Sequence, residues 1–314
     1  MKLFISHQSA LEYWRSCRGL PGNSAHRRCR VVLPDKLPSI EPLMFSGLNQ
    51  PIHITIRNQS ARRVSTEVMQ HVFGGHTPVG CFMNVGNGLM VSSPEFCFLQ
   101  MADQMTIIEL IELGYELCGV YSLPLANDPA IPEKGFYDRQ PLTSIKQLRV
   151  FLDSMPGVKR RKKALRALHY LQNGSASPME TKLSMFLTLP YKMGGYGFTM
   201  PKLNSRVTLS KTARKHFSKD YYICDLFWPD KKLAVEYDSD LYHTGSDRIT
   251  NDSKRRNALA SVGISVVSVT KQQLFSRVEF EKVVRTIAKH LGKRLLLEKS
   301  SHNTTHYILR KQLL

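Results

Sequence analysis

The sequence has no apolar run of the roughly 18 residues or more that cross a bilayer. Residues 1–15 also hold too short an apolar run for a secretory signal peptide. No long basic amphipathic helix stands out that would rest on an anionic membrane surface. These absences predict a soluble, cytoplasmic protein with no membrane partner.

Cysteine is sparse, and its spacing shows no pairing pattern. The six cysteines, at positions 17, 29, 81, 97, 118 and 224, lie far apart and include no CxxC motif. Such spacing indicates neither a disulfide framework nor a zinc framework. We therefore expect reduced thiols, as in cytosolic proteins.

Acidic residues are scarce relative to basic ones. The chain has 44 Lys and Arg against 25 Asp and Glu, a formal net charge of +19. A surplus of this size attracts polyanions, most simply the phosphates of DNA or RNA. Its densest run supplies four candidate contacts to nucleic acid, Lys159, Arg160, Arg161 and Lys163. The same run would serve equally well as one solvated helix face.

What the sequence does contain is a hairpin pattern between residues 222 and 243. Two short β-rich runs, Tyr222–Trp228 and Leu233–Asp238, are separated by four residues that begin with Pro229 and Asp230. Proline and aspartate between two such runs are typical of a hairpin turn. A hairpin in register places Trp228 opposite Leu233.

The same register brings acidic residues together. Asp225 falls opposite Glu236, and Asp238 lies two residues further along the same face. Opposed carboxylates repel each other, and a divalent cation would relieve that repulsion. Mg²⁺, or Mn²⁺, bound by Asp225 and Glu236 is therefore one interpretation. The other is a solvent-facing hairpin that carries scattered acids.

A helix is predicted before the hairpin and another after it. Ser177, Pro178 and Glu180 fit the first turn of a capped helix, which is a sufficient structural explanation of Glu180. After the hairpin, residues 252–261 fit a helix and residues 264–270 a strand. A strand–helix–strand sequence of this kind predicts a parallel crossover.

Three segments between residues 177 and 270 together resemble a known family: SPMETKLSMFL, YYICDLFWPDKKLAVEYDSDLYH and NDSKRRNALASVGISVVSVT. They are similar to the PD-(D/E)xK restriction-endonuclease-like superfamily, in its branch related to very-short-patch repair endonucleases. The part before them is similar to the amino-terminal parts of bacterial proteins that resemble abortive-infection antitoxins.

The resemblance implies a role for each matching acidic residue. Glu180 would be the acid of the helix, Asp225 the central metal ligand and Glu236 the second ligand. Asp238 stands where the superfamily usually has a lysine. The missing positive charge would then come from a nearby His243, Lys254 or Arg255.

Other positions fit the same frame less specifically. His243 would transfer a proton, since its unperturbed pKa lies near neutral pH. It would serve equally well as a structural residue where the strand ends. Arg255 and Arg256, with Lys254, would carry positive charge toward phosphate.

The resemblance and the patterns together predict an α/β protein (α+β overall). The expected C-terminal fold is a restriction-endonuclease-like mixed sheet flanked by helices. The expected segments are an N-terminal α+β module, a linker with basic helices, an endonuclease-like domain and a basic tail, over residues 1–125, 126–173, 174–292 and 293–314.

Three functions from different classes stay open on the sequence. The first is a metal-dependent nuclease that hydrolyses phosphodiester bonds, with DNA as the expected substrate. The second is a regulator, such as an antitoxin, that binds nucleic acid on a nuclease fold without cutting it. The third is a structural or protein-binding module whose charge is incidental. The sequence leaves the oligomeric state undetermined.

Overall fold

The computed structural model describes residues 2–17, 27–36, 48–59, 66–125, 138–217, 219–238, 246–296 and 300–314. The described chain mixes helices with two mixed sheets, which confirms the predicted α/β class. It divides into two compact units, Met1–Asn173 and Gly174–Leu314. In these ranges no helix has the length and hydropathy that a membrane span requires.

The first unit contains the elements β1 (Leu3–Ile5), α1 (His7–Ser16), β2 (Arg27–Cys29), β3 (Ile52–Ile56), β4 (Val68–Val72), β5 (Phe82–Gly86), β6 (Leu89–Ser92), α2 (Pro94–Met101), α3 (Ile107–Cys118), α4 (Ile145–Asp153) and α5 (Arg161–Leu168). Its six strands follow the order β2-β5-β6-β1-β3-β4. Trp14 of α1 is fully buried and donates from Nε1 to the carbonyl of Ser92, 2.8 Å away. Helix α1 packs against β3 and β6 of this sheet, and α2 packs against β6.

The second unit contains α6 (Pro178–Thr188), β7 (Lys202–Thr208), α7 (Lys211–Phe217), β8 (Tyr221–Trp228), β9 (Leu233–Asp238), α8 (Ser246–Ser261), β10 (Ser265–Thr270), α9 (Lys271–Phe275), α10 (Arg277–Leu291) and α11 (Ser300–Leu313). Its sheet has the order β10-β9-β8-β7. The pairs β7–β8 and β8–β9 are antiparallel, and β9–β10 is parallel. The sheet is therefore mixed, as expected.

The predicted hairpin forms, and the three residue pairs next to its turn have the predicted register, whereas Asp225 and Glu236 lie beyond those pairs. Trp228 pairs with Leu233 and Leu226 pairs with Val235. The turn is one 3-10 turn, Pro229–Lys231, closed by Lys232 with a positive φ of 47°. Proline supplies the fixed φ that begins such a turn. The turn thus aligns β8 and β9 residue by residue.

Helix α8 covers one side of this sheet and explains why the strands are apolar there. Ala258 and Leu259 of α8 share a buried cluster with Cys224 of β8 and Ala234 of β9. Strands β9 and β10 precede and follow α8 along the chain and pair in parallel. The segment β9–α8–β10 is therefore the predicted crossover. The helix begins at Ser246, earlier than the predicted residue 252.

Two of the predicted segments contain residues that pack into the compact units. Residues 138–173, the described part of the predicted linker with basic helices, lie in the first unit, where Leu148 and Leu152 of α4 are fully buried. The predicted basic tail contains α11, whose Leu309 and Leu313 are buried in the second unit. The apolar side chains of both segments, interspersed among basic ones, account for this packing.

The cysteines whose side chains the structure describes are all free: Cys17, Cys81, Cys97, Cys118 and Cys224.

Candidate functional site

One cavity of about 210 Å³ in the second unit brings together five of the candidate site residues. It is formed by β8, β9, β10 and α8. Its lining residues are Asp225, Glu236, Tyr237, Asp238, Arg255, Arg256, Val266 and Ser268. The three hairpin acids therefore meet two basic side chains of α8 in a single small polar space.

Asp225 is the acid with the most perturbed chemistry. Its Oδ2 accepts a hydrogen bond of 2.9 Å from the backbone N–H of Tyr237 on the neighbouring strand. Burial raises the pKa of Asp225 to about 7, and the nearby charges of Glu180 and Glu236 act in the same direction. Perturbed carboxylates in a cleft are typical of functional sites. A cation bound beside Asp225 would favour its ionised form and so lower its pKa.

Glu236 is held by an arginine from α8. Its Oε1 lies 2.5 Å from a terminal nitrogen of Arg255. The same nitrogen donates to the carbonyl of Ile223, also at 2.5 Å. Arg255 thus ties helix α8 to both strands of the hairpin.

Glu180 does not line the cavity, although its charge affects Asp225. It is almost fully buried at the start of α6, where its carboxylate accepts from the N–H of Ala176, from Ser177 Oγ and from Asn204 Nδ2 at 2.8 to 3.1 Å. Ser177 Oγ accepts in turn from the N–H of Glu180. The predicted N-cap forms, but Glu180 returns to the N–H of Ala176 rather than to that of Ser177.

The remaining candidates of this unit take separate positions. Asp238 ends β9 and is half-buried in the cavity wall, whereas Arg256 is exposed at the cavity rim. Lys254 is exposed on α8 and is not part of the lining. His243 lies outside the described residues.

The basic run, residues 159–163, lies in the first unit, and several of its side chains form contacts within that unit. Lys159 and Arg160 both form ion pairs with Asp103, at 3.2 and 2.7 Å. Arg161 pairs with Asp153 at 3.0 Å. Lys163 donates to the carbonyl of Met105. Most of these side chains are nevertheless half-exposed or exposed.

Ser268 in the cavity and Asn204 beside Glu180 are among the residues that were not predicted from the sequence. Ser268 enters the cavity because it pairs with Glu236 across the parallel β9–β10 ladder. Asn204, with a positive φ of 44°, bridges Glu180 to strand β7. The alternation of β10 could have indicated Ser268, whereas nothing local marks Asn204.

The donor set of the cavity fits a hard divalent cation in type. Carboxylates of Asp225 and Glu236 are oxygen ligands of the kind that Mg²⁺ accepts, with water completing its octahedron. In the described part of the chain, however, no three His, Cys, Asp or Glu side chains are placed to hold a metal ion together. Glu236 is bound to Arg255 instead.

Comparison of the chain with family models, with curated proteins and with solved structures finds no match.

Proposed function

We propose that the chain is a metal-dependent nuclease that hydrolyses phosphodiester bonds in nucleic acid, with DNA as the expected substrate. The observation that carries the proposal is the cavity in which Asp225 and Glu236 lie beside Arg255 and Arg256. Two acids that resist ionising together are a suitable cation site, and the adjacent cations suit an anionic substrate.

Asp225 and Glu236 are the residues that would hold Mg²⁺ or Mn²⁺. The bound ion would supply Lewis acidity to the scissile phosphate and lower the pKa of an attacking water. The described residues contribute charge and position: Arg256 at the rim attracts phosphate, and Tyr237 fixes Asp225 through its N–H. His243 stays the candidate for proton transfer.

Cleavage assays with a matched control test this function. Wild-type protein should cut nucleic acid in Mg²⁺ or Mn²⁺ and stop when EDTA is added. Asp225→Asn and Glu236→Gln should each lower the rate by about a hundredfold or more, because an amide ligates a hard ion poorly. Asp230→Asn, an exposed change in the hairpin turn, should cut at the wild-type rate.

Binding of nucleic acid separates loss of chemistry from loss of substrate. Both cavity variants should bind DNA as well as the wild type does, or better, since each removes a negative charge near phosphate. Gel-shift titration without metal measures this. Equal cutting by wild type and Asp225→Asn would contradict the proposal.

A second candidate function is a regulator that binds nucleic acid and does not cut it. Two observations favour it: Asp238 stands where the resembled superfamily has lysine, and Glu236 is already paired with Arg255. Wild-type protein that binds single- or double-stranded DNA or RNA, yet cuts none of them with either metal, would establish this function instead. Protein that neither binds nor cuts would favour the third, structural class.

A further inference from the structure

Arg255 contacts the carboxylate of Glu236, which a bound cation would use, and it lines the cavity that a phosphate would enter. Its side chain is about 31% exposed, and that of Glu236 is about 16% exposed. The terminal nitrogen that contacts Glu236 also contacts the carbonyl of Ile223. Since arginine stays protonated at all ordinary pH values, its charge cannot be removed to make room for another cation at Glu236.

The contact between Arg255 and Glu236 therefore competes with cation binding. The guanidinium contacts Oε1 of Glu236, so a divalent cation at the same carboxylate would share that charge with Arg255 and be repelled by it. Asp225, the other acid, is held through Oδ2 by the N–H of Tyr237 rather than by an arginine. Of these two acids, Glu236 is the one whose carboxylate forms an ion pair with an arginine.

The guanidinium of Arg255 retains unused donor capacity. Its Nε is buried and has no hydrogen-bond partner among the described residues. A buried N–H without an acceptor is costly, and a guanidinium presents Nε and a terminal nitrogen as a fork that matches two oxygens of a phosphate. A phosphate bound in the cavity, which Arg255 lines, would supply these two oxygens.

We infer that Arg255 couples cation binding to phosphate binding: it holds Glu236 in the absence of a divalent cation and binds a phosphodiester oxygen of the substrate once Glu236 ligates the cation. The inference rests on the proposed nuclease function and identifies how its site is controlled.

Calorimetric titration of the full chain with Mn²⁺ alone tests the first half. Arg255→Gln should raise Mn²⁺ affinity by roughly tenfold or more, because loss of one charge-assisted hydrogen bond is worth about that factor. Arg256→Gln removes the same charge from the same cavity without a contact to Glu236, so its increase should be clearly smaller. Equal affinities of these two variants would overturn the inference.

Arg255→Lys tests the second half and also guards against a variant that does not fold. Lysine keeps the charge and can still pair with Glu236, so Mn²⁺ affinity should stay near that of the wild type. It lacks the planar fork, so Mn²⁺-dependent cleavage of a DNA duplex should fall by about tenfold or more. Wild-type cleavage by Arg255→Lys, or Mn²⁺ affinity as high as that of Arg255→Gln, would overturn the inference.

The Mn²⁺ titrations and the cleavage assays distinguish failure of the nuclease proposal from failure of the inference about Arg255. If neither the wild type nor Arg255→Gln binds Mn²⁺, the cation site does not exist and both proposals fall. If the wild type binds Mn²⁺ through Asp225 and cuts DNA while Arg255→Gln gains no affinity, the nuclease stands and only the role of Arg255 is refuted.

Discussion

The surroundings of Asp225 have opposite effects on the protonation of its carboxyl group. Burial and the charges of Glu180 and Glu236 favour its protonated form, whereas the N–H of Tyr237 favours the carboxylate. The pKa of Asp225 rises from 3.8 to about 7 as a result. The native state thus binds this proton more tightly than the unfolded state does. The ionised form, which a cation would need, destabilises the fold when no cation is present.

The raised pKa of Asp225 predicts how the stability of the protein depends on pH. As the pH rises from about 4 through 7, the wild type should lose stability because native Asp225 must give up its favoured proton. Asp225→Asn has no such proton. Its free energy of unfolding relative to the wild type should therefore grow by about 2 to 4 kcal/mol between pH 4 and pH 8. Urea unfolding in EDTA at several pH values measures this difference.

Asp230→Asn is the matched control for this measurement. Its carboxyl group is exposed in the hairpin turn, so its stability should follow that of the wild type across the range. A constant difference between Asp225→Asn and the wild type from pH 4 to pH 8 would show that Asp225 titrates normally.

At the scale of elements, helix α11 shows how the end of the chain is fixed to the second unit. Thr305 Oγ1 donates to the carbonyl of Tyr191 at 3.1 Å, and a ring nitrogen of His306 lies 2.7 Å from the carbonyl of Gly194. Arg310 donates to the carbonyls of Leu274 and Phe275, at 2.9 and 2.8 Å. The helix therefore contacts both the turn at residues 191–194 and the end of α9.

Gly194 is the residue that permits this close approach. Its φ is +90°, and a Cβ atom there would lie 2.3 Å from the carbonyl oxygen of Thr305. Gly194→Ala should destabilise the protein by about 2 kcal/mol or more, from backbone strain together with the displacement of α11. Urea unfolding gives the free energy, and hydrogen exchange should report faster opening of α11.

Gly157 supplies the control for backbone strain alone. Its φ is +75°, and a Cβ there would meet nothing within 4 Å. Gly157→Ala should cost only about 1 kcal/mol. Equal losses from the two alanine variants would mean that the contact with Thr305 does not limit the packing of α11.

At the scale of the whole molecule, the positive charge is spread over both compact units. The basic run lies in the first unit and the cavity in the second. The ion pairs of Lys159 and Arg160 with Asp103 are exposed, with side-chain exposures of 74%, 50% and 42%. Exposed pairs contribute little to stability, so phosphate could displace Asp103 at small cost.

Salt dependence of binding tests whether the run contacts nucleic acid. Replacing Lys159, Arg160, Arg161 and Lys163 by alanine should reduce the slope of log K against log salt by about 3 to 4 on duplex DNA. Each phosphate contact contributes roughly 0.9 to that slope. Fluorescence anisotropy at several salt concentrations measures the slope.

The control removes the same number of charges from exposed positions of α10 and the residues after it. These positions are Lys282, Arg285, Lys289 and Arg294. The control variant should keep the wild-type slope. An unchanged slope in the first variant would assign the basic run to a solvated helix face.

Local sequence patterns determined the hairpin and much of its acid placement. The alternation of β8, the Pro229–Lys231 turn and the matching lengths of the strands fix a register in which Trp228 meets Leu233. Each of these signals involves neighbours in sequence, and side-chain direction in a strand has a period of two. The N-cap at Ser177 was predictable for the same reason.

Only the tertiary structure decided which groups complete the site. Arg255 follows Glu236 by 19 residues, and their contact depends on how α8 packs across the sheet. Ser268 enters the cavity through the parallel β9–β10 ladder, and α11 is held by a turn more than a hundred residues earlier. Such pairings follow from packing between elements that are distant in sequence. Residue patterns therefore identified the acids, whereas the fold brought Arg255 into contact with one of them.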